Sequence, residues 1–319
     1  MPNNNPIKIA THGVAKDFQT SLFPAILRNL GFEPIWSKAS DSALMVVGPF
    51  LAEKKSFNWI PRPLRPLISD KKNSSSNDQQ KRNGPPKLLI TGENIRHDFM
   101  NCDYAISFDL GVSSPNHFRM PYWMEMVDWS KEGVIGNINP RYGRLLSLER
   151  LMEPLGNAFL SRPKKAAIFA SHMREPRRTL LNVLKKEIEL VEYGRTFDQN
   201  VKNHLESGIL KYDELQKVAF NLCPENGMHP GYYTEKIPEA FMAGCLPITW
   251  ADENVRVDFN PKAFINLAPM SSNNFAEIQE ILHSKELLNT YADQALLTTS
   301  LSIDPLRNFI KKIIREILS

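Results

Sequence analysis

A chain of 319 residues is longer than one hydrophobic core usually serves, which implies two domains of about 150 residues each. Hydrophobic residues make up 42% and charged residues 23%, the composition of an ordinary soluble globular protein. A net charge of +4 suits phosphate-bearing ligands or an anionic membrane surface and is too small to argue for nucleic acid, so no nucleic-acid partner is expected.

The N-terminus, "MPNNNPIKIATHG", has no basic segment followed by an apolar core, so it does not read as a signal peptide. No apolar run approaches membrane-span length. Cys102, Cys223 and Cys245 have no metal-ligand spacing, and their odd number argues against a disulfide framework. The expected location is therefore a reducing compartment, the cytoplasm or a membrane face.

Short apolar runs then recur along the chain: "IKIATHG", "ALMVVGPF", "KLLITGEN", "DYAISFD", "KAAIFAS", "IELVEYG", "VAFNLCPEN", "CLPITW" and "AFINLAP". Runs this short, bounded by turn signals, suit strands buried on both faces. Helical patterns lie between them. "KDFQTSLFPAILRNLG" ends at Gly31, a C′ glycine, and "REPRRTLLNVLKKEI" places Leu180, Leu181, Val183 and Leu184 on one side. The alternation predicts an α/β fold with parallel sheets. Residues 61–87, rich in Pro, Ser, Asn and Lys, read as a flexible loop. An irregular stretch ends at Lys165, which sets the expected boundary: a first domain over 1–160, a second over 161–300, and a C-terminal helix over 301–319.

"ENGMHPGYYTEK", residues 225–236, concentrates functional groups in a gap between a strand and a helix. Ligands of open parallel sheets sit at the carboxyl ends of strands. Pro238 belongs in a first helical turn, so a helix begins no earlier than about Glu235, with its free N–H groups available to an anion. Lys236 offers a point charge for a phosphate. Glu235 would repel a phosphate and suits ribose or sugar hydroxyls. Tyr232 and Tyr233 offer flat faces and hydroxyls. A long loop with solvated charges and packed tyrosines is the plainer alternative; the density of groups favours a sugar-nucleotide site.

"FNLCPENGMHPGYYTEKIPEAFMAGCLPITW" resembles the signature of the α1,3/α1,4-fucosyltransferases, glycosyltransferase family 10, with the bacterial members closest in character. "ITGEN" and "DYAISFD…FRMPYW" resemble that family's acceptor domain. "FASHMREPRR", "VEYGR" and "DFNPKAFINL" resemble its donor domain. The resemblance implies a GT-B fold, two Rossmann-like domains facing a cleft, with acceptor bound by the first and GDP-fucose by the second. It implies inverting transfer of L-fucose from GDP-fucose to a glycan hydroxyl, O3 of N-acetylglucosamine being the family's choice. On the donor side it implies Lys236 on phosphate, Glu235 on ribose, Tyr232 near the diphosphate and Glu225 with Asn226 beside the donor sugar. Arg178, seven residues after Ser171, matches a pyrophosphate-clamping arginine; Arg195 in "YGR" matches more weakly. Pro224, Ala219 and Ala251 depart from the family's usual Phe, Lys and Gly.

Inverting transfer needs a base on the acceptor side. Glu93 in "KLLITGEN" follows a strand and a Gly turn, and it matches the family's base; Asp109 and Glu125 are runners-up. No Asp-x-Asp occurs, so Arg178, Lys236 and a helix N-terminus are expected to compensate the leaving charge without a metal or other cofactor. The end of the chain, "PLRNFIKKIIREILS", is amphipathic. It would either lie on a membrane carrying a lipid-linked acceptor or pack back on the first domain, the commoner use of such a stripe. A GT-B transferase of another sugar nucleotide, or a non-catalytic nucleotide-sugar or glycan-binding protein, remains the alternative function.

Overall fold

The computed structural model describes residues 5–50, 84–197 and 210–319. Its first half is built on β1 (Asn5–His12), α1 (Leu22–Asn29), β2 (Phe32–Trp36), β3 (Leu44–Val47), β4 (Lys87–Ile90), β5 (Tyr104–Ser107) and β6 (His117–Arg119). Two short helices follow, α2 (Leu148–Met152) and α3 (Ala158–Ser161). The second half contains β7 (Lys165–Phe169), α4 (Arg177–Leu184), β8 (Glu189–Tyr193), α5 (Lys211–Leu215), β9 (Phe220–Leu222), α6 (Lys236–Met242), β10 (Leu246–Thr249) and β11 (Ile265–Asn266). Helices α7 (Ser272–His283), α8 (Lys285–Ala292) and α9 (Asp304–Leu318) end the chain.

Both sheets are wholly parallel. The first runs β2-β1-β3-β4-β5-β6 and the second β8-β7-β9-β10-β11. Counted within each half, the order is the same: second strand, first, third, fourth, fifth. The order therefore reverses between the first and third strand of each half, and such switch points open a crevice at the strands' carboxyl ends. The nine apolar runs became the strands other than β2 and β6, as strands covered on both faces require. β2 carries Pro34 and survives because it is an edge strand, where a missing N–H costs no ladder bond.

Local chemistry explains the helices nearest the cleft. α1 buries Leu22, Phe23, Ile26 and Leu27, and it stops where Gly31 takes φ +85°. Its N-cap Ser21 makes no side-chain cap bond; instead the Leu22 N–H donates to Glu125 Oε1 at 2.6 Å. α9 returns to the first half. Leu306, Phe309, Ile310, Ile313 and Ile314 are buried, Phe309 lies 5.6 Å from Phe118, and the Tyr104 hydroxyl donates to Glu316 Oε2 at 2.6 Å. Its apolar stripe is thus largely spent on the protein core, with Leu318 at its end left exposed. No helix among the described residues is long and apolar enough to cross a membrane.

The loop expected over 61–87 falls mostly outside the described residues, and its last residue, Lys87, already begins β4. Between the sheets, Tyr142 and Asn139 reach the second half. The Tyr142 hydroxyl donates to the Glu239 carbonyl at 2.7 Å, and Asn139 Nδ2 to Glu239 Oε1 at 2.8 Å.

Candidate active site

A cleft of about 550 Å³ lies between the two sheets, within the usual size of small-ligand sites. It is bordered at the switch points. Val14 and Gly48 follow β1 and β3; Ser171, His172, Cys223 and Pro224 follow β7 and β9. Gly194 takes φ +102°, and a Cβ there would overlap the Ala170 carbonyl, so β8 and β7 end close together.

The 225–236 loop forms one wall. Glu225 is buried beneath it and does not line the cleft. Its carboxylate accepts from the Thr234 N–H at 2.8 Å, from the Thr234 hydroxyl and from Lys236 Nζ at 2.8 Å. Three donors and a full partner charge satisfy a carboxylate that burial would otherwise make costly. Lys236 therefore stands in a fixed place. Burial lowers its pKa, but Glu225 and Glu235 outweigh burial and push it above the ordinary lysine value, so it stays cationic. Glu235 lines the cleft as the N-cap of α6. Burial would raise its pKa, but Lys236, Lys211 and Arg141 hold it below the usual value, so it stays ionised.

The two tyrosines separate. Tyr232 lines the cleft with its ring edge-on to Phe108 at 5.1 Å. Tyr233 is fully buried, and its hydroxyl donates to Asp252 at 3.1 Å. α6 is only seven residues long, so its dipole adds little beside the Lys236 charge.

The arginine on this wall is Arg177, whereas Arg178, the residue matched to the pyrophosphate clamp, is placed outside it. Arg177 is buried and lines the cleft, donating to the His172 carbonyl and to Asn226 Oδ1, both at 2.8 Å. Arg178 is exposed, lies outside the cleft lining and reaches the Met173 carbonyl at 3.4 Å. The signal was available: Arg177, Leu180, Leu181 and Leu184 share one helical face, and that face is the buried one. Ser171, Asn226 and Arg195 also line the cleft, with Ser171 Oγ 3.1 Å from His172 Nδ1.

Glu93 lies on the opposing, first-half wall, three residues beyond β4. Thr91 holds its turn: the Glu93 N–H donates to Thr91 Oγ1 at 3.3 Å, and that hydroxyl donates back to the Glu93 carbonyl at 3.1 Å. Gly92 is required because a Cβ there would overlap the Tyr122 ring. Burial raises the Glu93 pKa above the ordinary value, Lys236 opposes the rise, and Glu235 adds to it. Glu93 thus lies within electrostatic reach of Lys236 and Glu235.

The runners-up differ. Asp109 is buried, does not line the cleft, and accepts from Ser107 Oγ at 2.8 Å, from the His97 N–H at 2.7 Å and from Arg96 Nε. Burial would raise its pKa, yet those donors hold it below the usual range, so it is a structural anion. Glu125 lines the cleft; burial pushes its pKa up to about 7.

Sequence reasoning missed a buried group on the cleft floor. Lys211 Nζ lies 2.7 Å from Glu239 Oε2, and both side chains are almost fully enclosed. "KYDEL" carries no pattern that marks its lysine as buried; only the fold brings it under α6.

Comparison with known proteins agrees with this architecture. Residues 159–293 match a model of glycosyltransferase family 10 (fucosyltransferase), C-terminal part, and residues 79–126 match the N-terminal domain of alpha-(1,3)-fucosyltransferase FucT. Alpha-(1,3)-fucosyltransferase FucT of Helicobacter pylori is 30% identical over 230 residues, which cover 66% of this chain and 45% of that protein. The match thus spans under half of the relative's length. A crystal structure of alpha1,3-fucosyltransferase with GDP-fucose superposes with a TM-score of 0.67 at 22% identity, over 98% of this chain and 91% of the other. The same enzyme type with GDP gives a TM-score of 0.65 at 22% identity over the same shares. The fold is the two-domain GT-B arrangement of glycosyltransferases. Both halves of the chain are thus similar to the fucosyltransferases of glycosyltransferase family 10.

Proposed function

We propose that the protein transfers L-fucose from GDP-fucose to a glycan hydroxyl, with O3 of N-acetylglucosamine as acceptor and with inversion at the sugar carbon. One observation carries the reading. Two fixed cations, Lys236 and Arg177, and the ionised Glu235 line one wall of the cleft, while Glu93 lines the other. That division suits a single displacement. The acceptor oxygen attacks the anomeric carbon as the bond to the diphosphate breaks, Glu93 takes the hydroxyl proton, and Lys236 and Arg177 receive the charge on the departing GDP. A base and a leaving-group clamp on opposite walls favour attack opposite the leaving group, which inverts the centre. Ribose hydroxyls would donate to Glu235. The similar structures solved with GDP-fucose and with GDP support the donor.

In this reading the cations take the place of a metal, so activity survives excess EDTA. The three unpaired cysteines support a reducing, cytoplasmic setting. The test is transfer from a panel of sugar nucleotides to defined glycans, with EDTA present. Fucose on O3 of N-acetylglucosamine is the expected product. Glu93→Gln should lower transfer by about 10²–10⁴-fold, the usual contribution of a positioned base. Turnover of a different sugar nucleotide, or donor binding with no turnover on any glycan, would overturn the proposal. Loss of activity in EDTA that Mn²⁺ restores would overturn its metal-free part.

A further inference from the structure

The turn that carries Glu93 and the 225–236 loop meet across the cleft. A Cβ at Gly227 would overlap the Asn94 amide. Gly231, at φ +89°, lies against the Phe108 carbonyl. Arg96 joins the two segments: its Nε donates to the buried Asp109, and its Nη1 lies 2.5 Å from His229 Nε2.

The proton inventory at this contact is closed. A guanidinium only donates, so His229 Nε2 must accept and carries no hydrogen. His229 Nδ1 lies 3.0 Å from the Pro230 carbonyl, which only accepts, so Nδ1 carries the hydrogen. Both ring nitrogens are committed, and the imidazole is neutral. Asp109 in turn is tied to the His97 N–H and to Ser107. A continuous chain of hydrogen bonds therefore runs from the end of β5, through Arg96, three residues beyond Glu93, to His229 in the 225–236 loop.

We propose that Asp109, Arg96 and His229 form a strut that sets the position of Glu93 relative to the donor loop. Arg96 is a positioning residue; it acts through Glu93 and rests on the assignment of Glu93 as base. Its side chain is 46% exposed while that of Asp109 is fully buried, so the pair also compensates a buried charge, and the effect on Glu93 is read from kcat rather than from stability. Small misplacements of a catalytic group are costly in rate.

The experiment is a mutant cycle on the whole protein. Arg96→Met and His229→Leu should each lower kcat roughly ten- to a hundred-fold, with GDP affinity unchanged. His229→Gln keeps an acceptor for the guanidinium and should restore most of the rate. The double variant should be no slower than the slower single variant. In a Glu93→Gln background, Arg96→Met should cost nothing further, because the group it positions is gone. Additive losses, an undiminished cost in the Glu93→Gln background, or GDP affinity lost together with kcat would each overturn the strut. If Glu93→Gln alone transfers normally, the assignment of the base fails instead, and that result is read separately.

Discussion

Arg177 and Arg178 are adjacent and chemically identical, yet about 100° of helical rotation puts one in the cleft and the other in water. Arg177→Ala and Lys236→Ala should each weaken GDP binding by roughly ten- to a hundred-fold, the value of a charge-assisted contact, while Arg178→Ala leaves it near wild type. Titration calorimetry with GDP checks all three. Glu93 makes a pH prediction. Burial raises its pKa, so the carboxyl holds its proton to higher pH than an ordinary glutamate. The transfer rate should fall on the acid side at a pH above the ordinary carboxylate range, and Glu93→Gln should lose that limb. Glu125 shows the same physics as stability. Its pKa is about 7 in the folded chain against 4.5 as the reference, so the fold favours the protonated form. Its contribution is fully present below about pH 4.5 and is lost as pH rises through 7, about 3 kcal/mol in all. Glu125→Gln keeps the acceptor for the Leu22 N–H and should flatten that decline in denaturant titrations at pH 5 and pH 8.

At the scale of elements, α6 is a short helix anchored from three sides. Glu239 receives Asn139, Lys211 and, at its carbonyl, Tyr142. These bonds hold the helix whose first residues present Glu235 and Lys236 to the cleft. Lys211→Met would leave Glu239 buried with an uncompensated charge and should cost about 3–5 kcal/mol. Adding Glu239→Leu should recover part of that loss, because two apolar groups remove the stranded charge while Asn139 still lacks its acceptor. Urea unfolding of the single and double variants measures both. α9 follows the same logic from the apolar side: its stripe reads equally well as lipid-facing or core-facing until Phe118 and Tyr104 are found beneath it.

At the scale of the whole molecule, two halves of equal strand order must hold their switch points face to face. Arg119 on β6 reaches Asp258 of the second half through two 2.9 Å bonds, and Trp123 packs 5.2 Å from Phe259. The Arg119–Asp258 pair is largely shielded, with 24% and 7% of its side chains exposed, which lifts it above an ordinary surface pair. Asp258→Asn should lower stability by about 1.5–3 kcal/mol, seen as a lower Tm, while GDP affinity stays intact because the donor wall is untouched.

The strands and the 225–236 loop were legible in the chain because each is a local signal. A buried parallel strand is a short apolar run, and Glu235, Lys236 and Tyr232 sit within five residues of one another. β2 and β6 were not legible: Pro34 disguises the first, and the second has only three half-buried residues. Which arginine faces the cleft, that Asp109 supports a turn while Glu93 lines the cleft, that Lys211 lies beneath α6, and what the α9 stripe covers were decided by tertiary structure. Each depends on contacts between residues far apart in the chain, and a side chain's charge and burial follow from those partners, which no local pattern encodes.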